Sequence, residues 1–231
     1  MTVGVADAEG VTRFEARHTH APLAPSRFAA LAAELAGWRT VLARLGLVGQ
    51  DPQRYGGAGY GNVSARVGPF PGERGARPFL VSGTQTGGKP CATLDDFAWV
   101  RTYAIAHNRV QSEGAVPPSS ESMTHGAIYD LGGHIRYVFH GHCPVIWRDA
   151  AALGLPVSDP TVAYGTVAMA REIARLAQTT ALLDRRVLAM GGHEDGVIAF
   201  GRTAAEAGAA LVEALAAAEA RVFAAQGRTC R

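Results

Sequence analysis

Cysteine is scarce in this chain of 231 residues: three occur, Cys91, Cys143 and Cys230, and they lie far apart. Small secreted domains that are stabilised by disulfide bonds need several cysteines at short spacings, so the sequence excludes that class. Charge is also sparse, with 18% charged residues and a net charge of +2. Since no basic stripe is present, the composition gives no indication of a nucleic-acid-binding protein.

Long apolar runs are missing as well. The longest candidate, "AEAGAALVEALAAAEARVFAAQG" at residues 205–227, is interrupted by Glu213 and Glu219, whereas a membrane-spanning helix needs roughly 20 apolar residues. The N-terminal segment carries acidic residues early and has no apolar core, which argues against a signal peptide. We therefore expect a soluble, cytoplasmic protein with neither a membrane nor a nucleic acid as its partner.

The chain does contain enough apolar residues for one sizeable core, because 48% of its residues are hydrophobic. We expect residues 1–22, ended by the proline-bearing "APLAP", to form a flexible N-terminal lead-in. Residues 23–231 are expected to form a single domain.

Hydrophobic periodicity predicts the elements of that domain. Helices are predicted at residues 27–47, with Ser26 as the N-cap, and at residues 143–155, 166–178 and 203–226. A further helix is predicted to begin after Pro117 and Pro118. Strands are predicted at residues 62–67, 78–84, twice within 97–111, at 134–142, 185–190 and 197–201, and briefly within the loop 156–165, while residues 48–62 are predicted to be a loop. Because the strands are central and helices flank them, the pattern indicates a layered α/β domain.

Two histidines, His140 and His142, end the predicted strand in "RYVFHGHCPVIW" (residues 136–147). Side chains at positions i and i+2 of a strand point to the same face, which would place both imidazoles on one metal ion. The alternative is a pair of histidines satisfied by hydrogen bonds. A similar pair, His18 and His20, lies in a segment without periodicity, whose backbone has nothing to hold ligand geometry, so we expect these two to be solvent-exposed.

Two further residues complete a candidate site. His193 lies in a tight turn between two predicted strands, in "AMGGHEDGVI", and Glu121 lies at a helix start, in "PSSES". Three imidazoles with one open position are typical of catalytic zinc, and a carboxylate beside such an ion can act as base, acid or fourth ligand. His125, four residues after Glu121, either orients Glu121 or packs in the interior, and we favour packing.

Other proteins that use two histidines at this spacing require residues that this chain lacks. Cupin dioxygenases need a glutamate three or four residues after the second histidine, where this chain has Val145 and Ile146. Metallo-β-lactamase-like hydrolases need an aspartate that "HGHCPV" does not contain. Amidohydrolase barrels are excluded by the order of the predicted strands and helices.

Four segments, in order, resemble the class II aldolase/adducin family. They are "YGNVSARV" (60–67), "LVSGTQTGG" (80–88), "PPSSESMTHGAIY" (117–129) together with "YVFHGHCPVIW", and "GGHEDGVIAFG" (191–201). Each segment alone is a modest signal, but their order and spacing across about residues 25–225 make the resemblance specific. It implies an α/β fold with a central, mainly antiparallel sheet layered between helices.

The resemblance also implies site residues. His140, His142 and His193 would hold a divalent metal, Zn²⁺ or alternatively Mn²⁺ or Co²⁺, and Glu121 would be the catalytic acid/base. The implied phosphate-binding residues are Asn62, Thr86, Gly87, Ser119 and Ser120. Glycine turns and a helix N-terminus offer backbone N–H groups to an anion, and Lys89 is a candidate for a nearby cation. The alternative is that these glycines and serines only form turns and caps.

The implied activity is that of a metal-dependent aldolase, a lyase that cleaves or forms a C–C bond through an enediolate. Its substrate would be a small sugar phosphate or related hydroxy-carbonyl compound, and its assembly a homotetramer. Two alternatives stay open: dehydration, epimerisation or decarboxylation of a sugar phosphate at the same metal site, and a non-catalytic adducin-like module.

The sequence departs from the family pattern at several positions. Thr161 stands where fuculose-phosphate aldolases have a proton-transfer tyrosine, and Tyr164 follows three residues later. The residues on both sides of His193 are unusual, as are Cys143 and residues 147–149. These departures leave the metal site in place and leave the substrate and the proton route open.

Overall fold

The structure, a computed structural model, describes residues 10–227. The elements in this range are, in chain order, β1 (Glu15–His20), α1 (Pro25–Arg44), β2 (Gly49–Gln50), β3 (Gly59–Tyr60), β4 (Asn62–Arg66), β5 (Phe79–Ser82), β6 (Phe97–Ala104), β7 (Arg109–Gly114), α2 (Ser122–Leu131), β8 (Tyr137–His142), α3 (Pro144–Asp149), α4 (Val167–Thr179), α5 (Leu182–Arg185), β9 (Val187–Ala189), β10 (Gly196–Gly201) and α6 (Ala204–Gln226). Short 3-10 turns lie at Tyr55–Gly57, Leu94–Asp96 and Ile105–His107.

An eight-stranded sheet in the order β1-β7-β6-β5-β4-β8-β10-β9 forms the centre of the fold. Neighbouring strands are antiparallel except for β1 and β7, which run parallel. Strands β2 and β3 form a separate two-stranded ribbon inside the glycine-rich segment that we predicted to be a loop. The predicted fold class, a mainly antiparallel sheet within an α/β domain, is confirmed.

Helices cover both faces of the sheet, and strand alternation decides which side chains meet which helices. On β8, Phe139 packs into the cluster that contains Leu35 and Leu42 of α1 and Leu211 of α6. Its neighbour Val138 packs into the opposite cluster, which is built from α2 and α4. His140 and His142 have the same parity as Val138, so they face the side of the sheet that α2 covers.

The N-terminal segment differs from its prediction as a flexible lead-in. Residues 15–20 form strand β1, which pairs in register with β7 from Glu15 opposite Arg109 to His20 opposite Gly114. The sequence of β1 is polar because the strand lies at the sheet edge and leaves most of its side chains exposed. Residues 1–9 of the predicted lead-in lie outside the described residues, as does Cys230.

Two smaller predictions are also wrong. Helix α1 begins at Pro25 with Ala24 as the N-cap, not at Ser26, because proline is favoured in the first helical turn, where its missing N–H is not needed. The loop 156–165 contributes no strand and only one bridge, between Val157 and Ala189. Within residues 10–227, no helix is long and apolar enough to cross a membrane.

Candidate metal and anion site

Three imidazoles meet where β8 ends and β10 begins. His140 and His142 belong to β8, and His193 lies in the turn between β9 and β10. The Nε2 atom of His142 is 3.2 Å from Nε2 of His140 and 2.9 Å from Nε2 of His193. One nitrogen from each ring lies within 4.8 Å of the other two, and all three residues are buried. The structure thus brings together the three predicted metal ligands.

The β9–β10 turn can place the imidazole of His193 beside β8 because the residue at its end, Gly196, has no side chain. His142 pairs with Gly196 across the β8–β10 ladder, which sets the turn beside the end of β8. A Cβ atom added at Gly196 would lie 2.5 Å from Cδ2 of His193. Glycine at this position therefore makes room for the imidazole.

The environment of the rings favours their neutral, metal-binding form. Nδ1 of His140 is 3.1 Å from the carbonyl oxygen of Val197. Because a carbonyl only accepts, Nδ1 carries the proton and Nε2 keeps its lone pair for the centre of the group. Burial lowers the pKa of both His140 and His142 well below the ordinary histidine value. Both rings are thus neutral at pH 7.

The geometry of the three-histidine group fits a divalent ion. Bonds of about 2.0–2.1 Å in a tetrahedral arrangement keep two nitrogen ligands about 3.3 Å apart, close to the 3.2 Å and 2.9 Å separations of the Nε2 atoms. Within residues 10–227 it is the only group of three or more potential ligands so placed. Three imidazoles without a fourth protein ligand match the donor set of an open, catalytic site.

Glu121 lies against the outer nitrogen of one candidate ligand. It occupies the N-cap position of α2 and is 1% exposed. Its Oε1 atom is 3.5 Å from Nδ1 of His193, on the ring nitrogen that does not face the other imidazoles. A carboxylate at this nitrogen orients the ring and raises its basicity as a ligand.

His125 does not orient Glu121. Its Nδ1 is 2.7 Å from the hydroxyl of Ser64, which in turn is 2.6 Å from the hydroxyl of Tyr129. The residue is completely buried, and burial lowers its pKa to about 3. His125 is therefore a neutral core residue, as the packing interpretation expected.

A small pocket next to the three histidines is lined by all five residues that the resemblance implied for phosphate. The lining consists of Gly10, Gly59, Gly61, Asn62, Gly83, Thr84, Gln85, Thr86, Gly87, Ser119 and Ser120. Asn62 pairs with His140 across β4 and β8, so the pocket adjoins the three-histidine group. Its Oδ1 atom is buried and has no hydrogen-bond partner in the described part of the chain, which leaves this acceptor available to a donor of a ligand.

Lys89 does not point into this pocket as a free cation. Its ammonium group forms an ion pair with Asp96. The carboxylate of Asp96 also accepts hydrogen bonds from the backbone and the hydroxyl of Thr93. The polar groups of the pocket lining are therefore hydroxyls, carboxamides and backbone groups.

Sequence reasoning missed a polar cluster beside His142. The Tyr55 hydroxyl donates to Asp195 at 2.7 Å and accepts from Arg54 at 2.6 Å, and the Tyr55 ring contacts the imidazole edge-on at a centroid distance of 4.6 Å. Both Tyr55 and Asp195 have a positive φ, 51° and 60°, which is uncommon for residues other than glycine and frequent at functional sites. The available signal was an Arg-Tyr pair inside a glycine-rich segment.

Tyr164 lies at the site, although its position in the sequence is shifted by three from the family's tyrosine. It is buried, and its ring centroid is 4.3 Å from that of His193. Its hydroxyl accepts a hydrogen bond from the backbone N–H of Val11 at 3.0 Å. Thr161 instead hydrogen-bonds Asp159 at the surface.

The unusual residues after His142 anchor helix α3. Cys143 is a buried core residue, and the indole N–H of Trp147 donates to the carbonyl of Met190 at 2.8 Å. Asp149 forms an ion pair with Arg221 of α6 at 2.7 Å. These contacts hold α3 against the residue that follows β9 and against α6.

The other histidine pair takes part in β1. Nδ1 of His18 is 3.0 Å from the hydroxyl of Ser112 on β7, so His18 is half-buried, and His20 is exposed. Both histidine pairs therefore have the i and i+2 spacing. Among residues 10–227, only His140 and His142 have a third potential ligand beside them, whereas His18 and His20 lie at the sheet edge.

A layered sheet with a buried three-histidine group at the end of β8 defines a class of protein, an α/β domain with a site suited to a divalent metal. Within that class, the chain belongs to the class II aldolase and adducin family. The family model described as "Class II Aldolase and Adducin N-terminal domain" matches residues 51–222. No curated protein sequence is a significant match to the chain.

Solved structures with this fold include several aldolases. L-fuculose-1-phosphate aldolase from Thermus thermophilus is 21% identical, with a TM-score of 0.62 over 88% of this chain and 98% of that one. YgbL from Escherichia coli, described as a candidate aldolase/epimerase/decarboxylase, is 16% identical, with a TM-score of 0.60 over 84% and 89%. A sugar-phosphate aldolase from Thermotoga maritima is 18% identical, with a TM-score of 0.56 over 84% and 95%. At these identities the likeness shows the fold.

Proposed function

We propose that the protein is a divalent-metal-dependent aldolase-type lyase, which cleaves or forms a C–C bond in a small sugar phosphate or related hydroxy-carbonyl compound. The observation that carries this proposal is the buried three-histidine group with an anion pocket beside it, in a chain of the class II aldolase and adducin family. We propose zinc as the ion, since imidazole ligands suit it, with Mn²⁺ or Co²⁺ as alternatives.

His140, His142 and His193 would hold the ion through their Nε2 atoms. When bound, the ion would supply a Lewis acid that polarises a substrate oxygen and stabilises the negative charge that develops on it. The protein's part would be to present three imidazole donors from the end of the sheet, with no fourth protein ligand in the way of the substrate. The carbonyl of Val197 keeps the correct tautomer at His140.

Glu121 would hold and move a proton at the reacting carbon or hydroxyl of the substrate. Its carboxylate is buried at the start of α2 and contacts His193. A buried carboxylate this close to the metal ligands is positioned for general acid/base work.

The pocket beside Asn62 would bind the phosphate of the substrate. The backbone N–H of Gly87 and the hydroxyls of Ser119 and Ser120 would supply donors, and Thr86 and the side chain of Asn62 line the same pocket. Donors of this kind at a turn and a helix start suit a phosphate group. The pocket adjoins His140 through the β4–β8 pairing, so a short sugar phosphate would reach both.

A second candidate uses the same site for dehydration, epimerisation or decarboxylation of a sugar phosphate. The observation that favours it is the position of Tyr164, which packs on His193 from within the same chain, while Thr161 stands at the family's tyrosine position. One fold and one metal site support several reactions, so the choice depends on the proton route.

The non-catalytic adducin-like module is the third candidate. We further propose a cytoplasmic homotetramer, on the family resemblance and the composition.

The test combines metal analysis with product analysis. Purified wild-type protein should carry about one divalent ion per chain, and His142→Ala should lose it, whereas His134→Ala, at an exposed histidine, should keep it. Incubation with a panel of phosphorylated and free ketoses should yield two carbonyl fragments. Products that all retain the carbon skeleton would exclude the lyase, and absence of stoichiometric metal in both wild type and His134→Ala would favour the non-catalytic module.

A further inference from the structure

A buried arginine lies behind the turn that lines the anion pocket. Arg39, on α1, is 1% exposed, and its Nη2 atom donates to the carbonyl oxygens of Thr86 at 2.5 Å and of Gly87 at 2.9 Å. These two residues line the pocket. The guanidinium is thus bound to the backbone of the turn from the side of α1.

The charge of Arg39 is not neutralised by an ion pair. Among residues 10–227 no carboxylate lies within ion-pair distance of it; the acid that acts on it from further away is Asp96, which is engaged by Lys89 and Thr93. Arginine keeps its proton at neutral pH, and a buried charge is costly unless a counter-charge is near. The turn therefore has on one side a fixed positive charge that no ion pair neutralises.

Hydrogen bonding to Arg39 also sets the direction of the peptide groups. In a trans peptide, the C=O of one residue and the N–H of the next point in opposite directions. Because the carbonyls of Thr86 and Gly87 point to Arg39, the N–H groups of Gly87 and Gly88 point away from it. Neither N–H donates to another group in the described part of the chain, and Gly87 lines the pocket, so the N–H of Gly87 is available to an anion there.

We propose that Arg39 is a positioning residue for an anionic substrate group of the phosphate class: it holds the Thr86–Gly88 turn with its N–H groups outward and supplies the positive charge behind them. This inference rests on the proposed function in one respect, that an anion binds at this turn. It names the substrate as a phosphorylated rather than a neutral hydroxy-carbonyl compound.

Binding of inorganic phosphate to metal-loaded protein, measured by titration calorimetry at fixed ionic strength, tests the proposal. Arg39→Gln should raise the Kd for phosphate about tenfold or more, because a unit charge close to the anion is lost. Arg39→Lys should restore part of the affinity, because the charge remains while the ammonium group lacks the planar, fixed donor geometry of the guanidinium.

Arg77→Gln is the matched control. Arg77 is also a buried arginine bound to backbone carbonyls, those of Gly72 and Tyr129, away from the pocket. Both glutamine variants should lose stability, but Arg77→Gln should keep the wild-type Kd for phosphate. A purely structural Arg39 would instead show the pattern of Arg77→Gln, with lower thermal stability and unchanged phosphate binding, and that result would overturn the proposal.

If Arg39→Gln does not fold, amide NMR of the wild type decides. Phosphate should shift the Gly87 and Gly88 amide signals and the guanidinium signals of Arg39, and signals that stay in place at saturating phosphate would overturn the proposal. The outcomes separate the two hypotheses. Arg39-dependent phosphate binding without C–C cleavage upholds this inference and overturns the lyase, whereas cleavage of a neutral ketose by protein that binds no phosphate does the reverse.

Discussion

At the residue scale, Asp195 connects the two segments that carry the candidate metal ligands. It lies two residues after His193, and its carbonyl accepts the N–H of Cys143, the residue after His142, at 2.8 Å. Its carboxylate holds the hydroxyl of Tyr55. Asp195 has a positive φ of 60°, which is costly for a residue other than glycine, so we expect loss of the Tyr55 contact to loosen both ligand segments.

Tyr55→Phe should weaken the metal site without removing a ligand. The variant leaves the buried carboxylate of Asp195 without its tyrosine donor and loosens the turn that positions His193. We expect loss of metal to a chelator to become about tenfold faster, the lower end of the range for residues that support metal ligands.

The matched control for this variant is Tyr103→Phe. The hydroxyl of Tyr103 makes an equivalent 2.7 Å hydrogen bond to Asp130, away from the three histidines. Both variants should lose about 1 kcal/mol of stability, while only Tyr55→Phe should release metal faster. Equal release rates would show that the cluster acts on stability alone.

Glu121→Gln separates proton transfer from metal binding. The amide keeps the shape of the side chain and its place at the start of α2, so in excess Zn²⁺ the metal content should reach the wild-type level, although His193 loses its carboxylate partner and binds the ion less tightly. We expect kcat to fall by about 10²–10⁴-fold, the usual contribution of a positioned acid/base. Steady-state kinetics with parallel metal analysis measures both; a variant with full activity would rule out Glu121 as the acid/base.

His125→Gln should reduce the dependence of stability on pH. Burial lowers the pKa of His125 to about 3, whereas a histidine in the unfolded chain has a pKa of about 6.5. Between these values the unfolded chain takes up a proton that the folded chain does not. The free energy of unfolding therefore falls as the pH falls below 6.5, by up to about 1.4 kcal/mol per pH unit.

Urea unfolding from pH 7 to pH 5, in the presence of a chelator, measures this slope. The glutamine variant should show a smaller slope than the wild type. His134→Gln, at an exposed position, should leave the slope unchanged, and equal slopes in all three proteins would contradict a neutral His125.

At the scale of elements, the segment that leads into β1 contacts Tyr164, which packs on His193. This segment places the backbone N–H of Val11 on the hydroxyl of Tyr164 and the guanidinium of Arg13 over its ring, 4.9 Å from the centroid. Phe14 then enters the core that α2 and α4 share. An N-terminal segment therefore supports the tyrosine that packs on His193.

Phe14→Ala tests whether this segment is anchored as the structure has it. Phe14 is 6% exposed, and truncation of a buried phenylalanine costs about 3–5 kcal/mol. Phe223→Ala makes the same change at a ring that is 78% exposed on α6 and should stay within about 0.5 kcal/mol of wild type. Chemical denaturation compares the two; similar losses in both would mean that the Phe14 ring is not buried in solution.

At the scale of the whole molecule, the features that the sequence predicts are those whose interacting residues lie close together in the chain. Strands β4 and β8 and helices α4 and α6 carry their own periodic patterns, and the three histidines belong to motifs with a recognisable order. Strand β1 carries no such pattern, because its stability depends on residues of β7, which are 94 positions away in the chain. The same holds for Tyr55 and Asp195, which are 140 positions apart.

The metal ion should stabilise the whole fold, because its proposed ligands come from β8 and from the β9–β10 turn. A ligand that binds only the folded chain raises its stability by about 2.7 kcal/mol at a concentration 100 times its Kd. For a domain of this size that corresponds to a rise in Tm of roughly 5–10 °C. Differential scanning calorimetry of zinc-loaded and chelator-treated protein should show this shift in the wild type and in His134→Ala, and none in His142→Ala. An identical Tm for the loaded and stripped wild type would mean that the three imidazoles do not hold an ion in the folded protein.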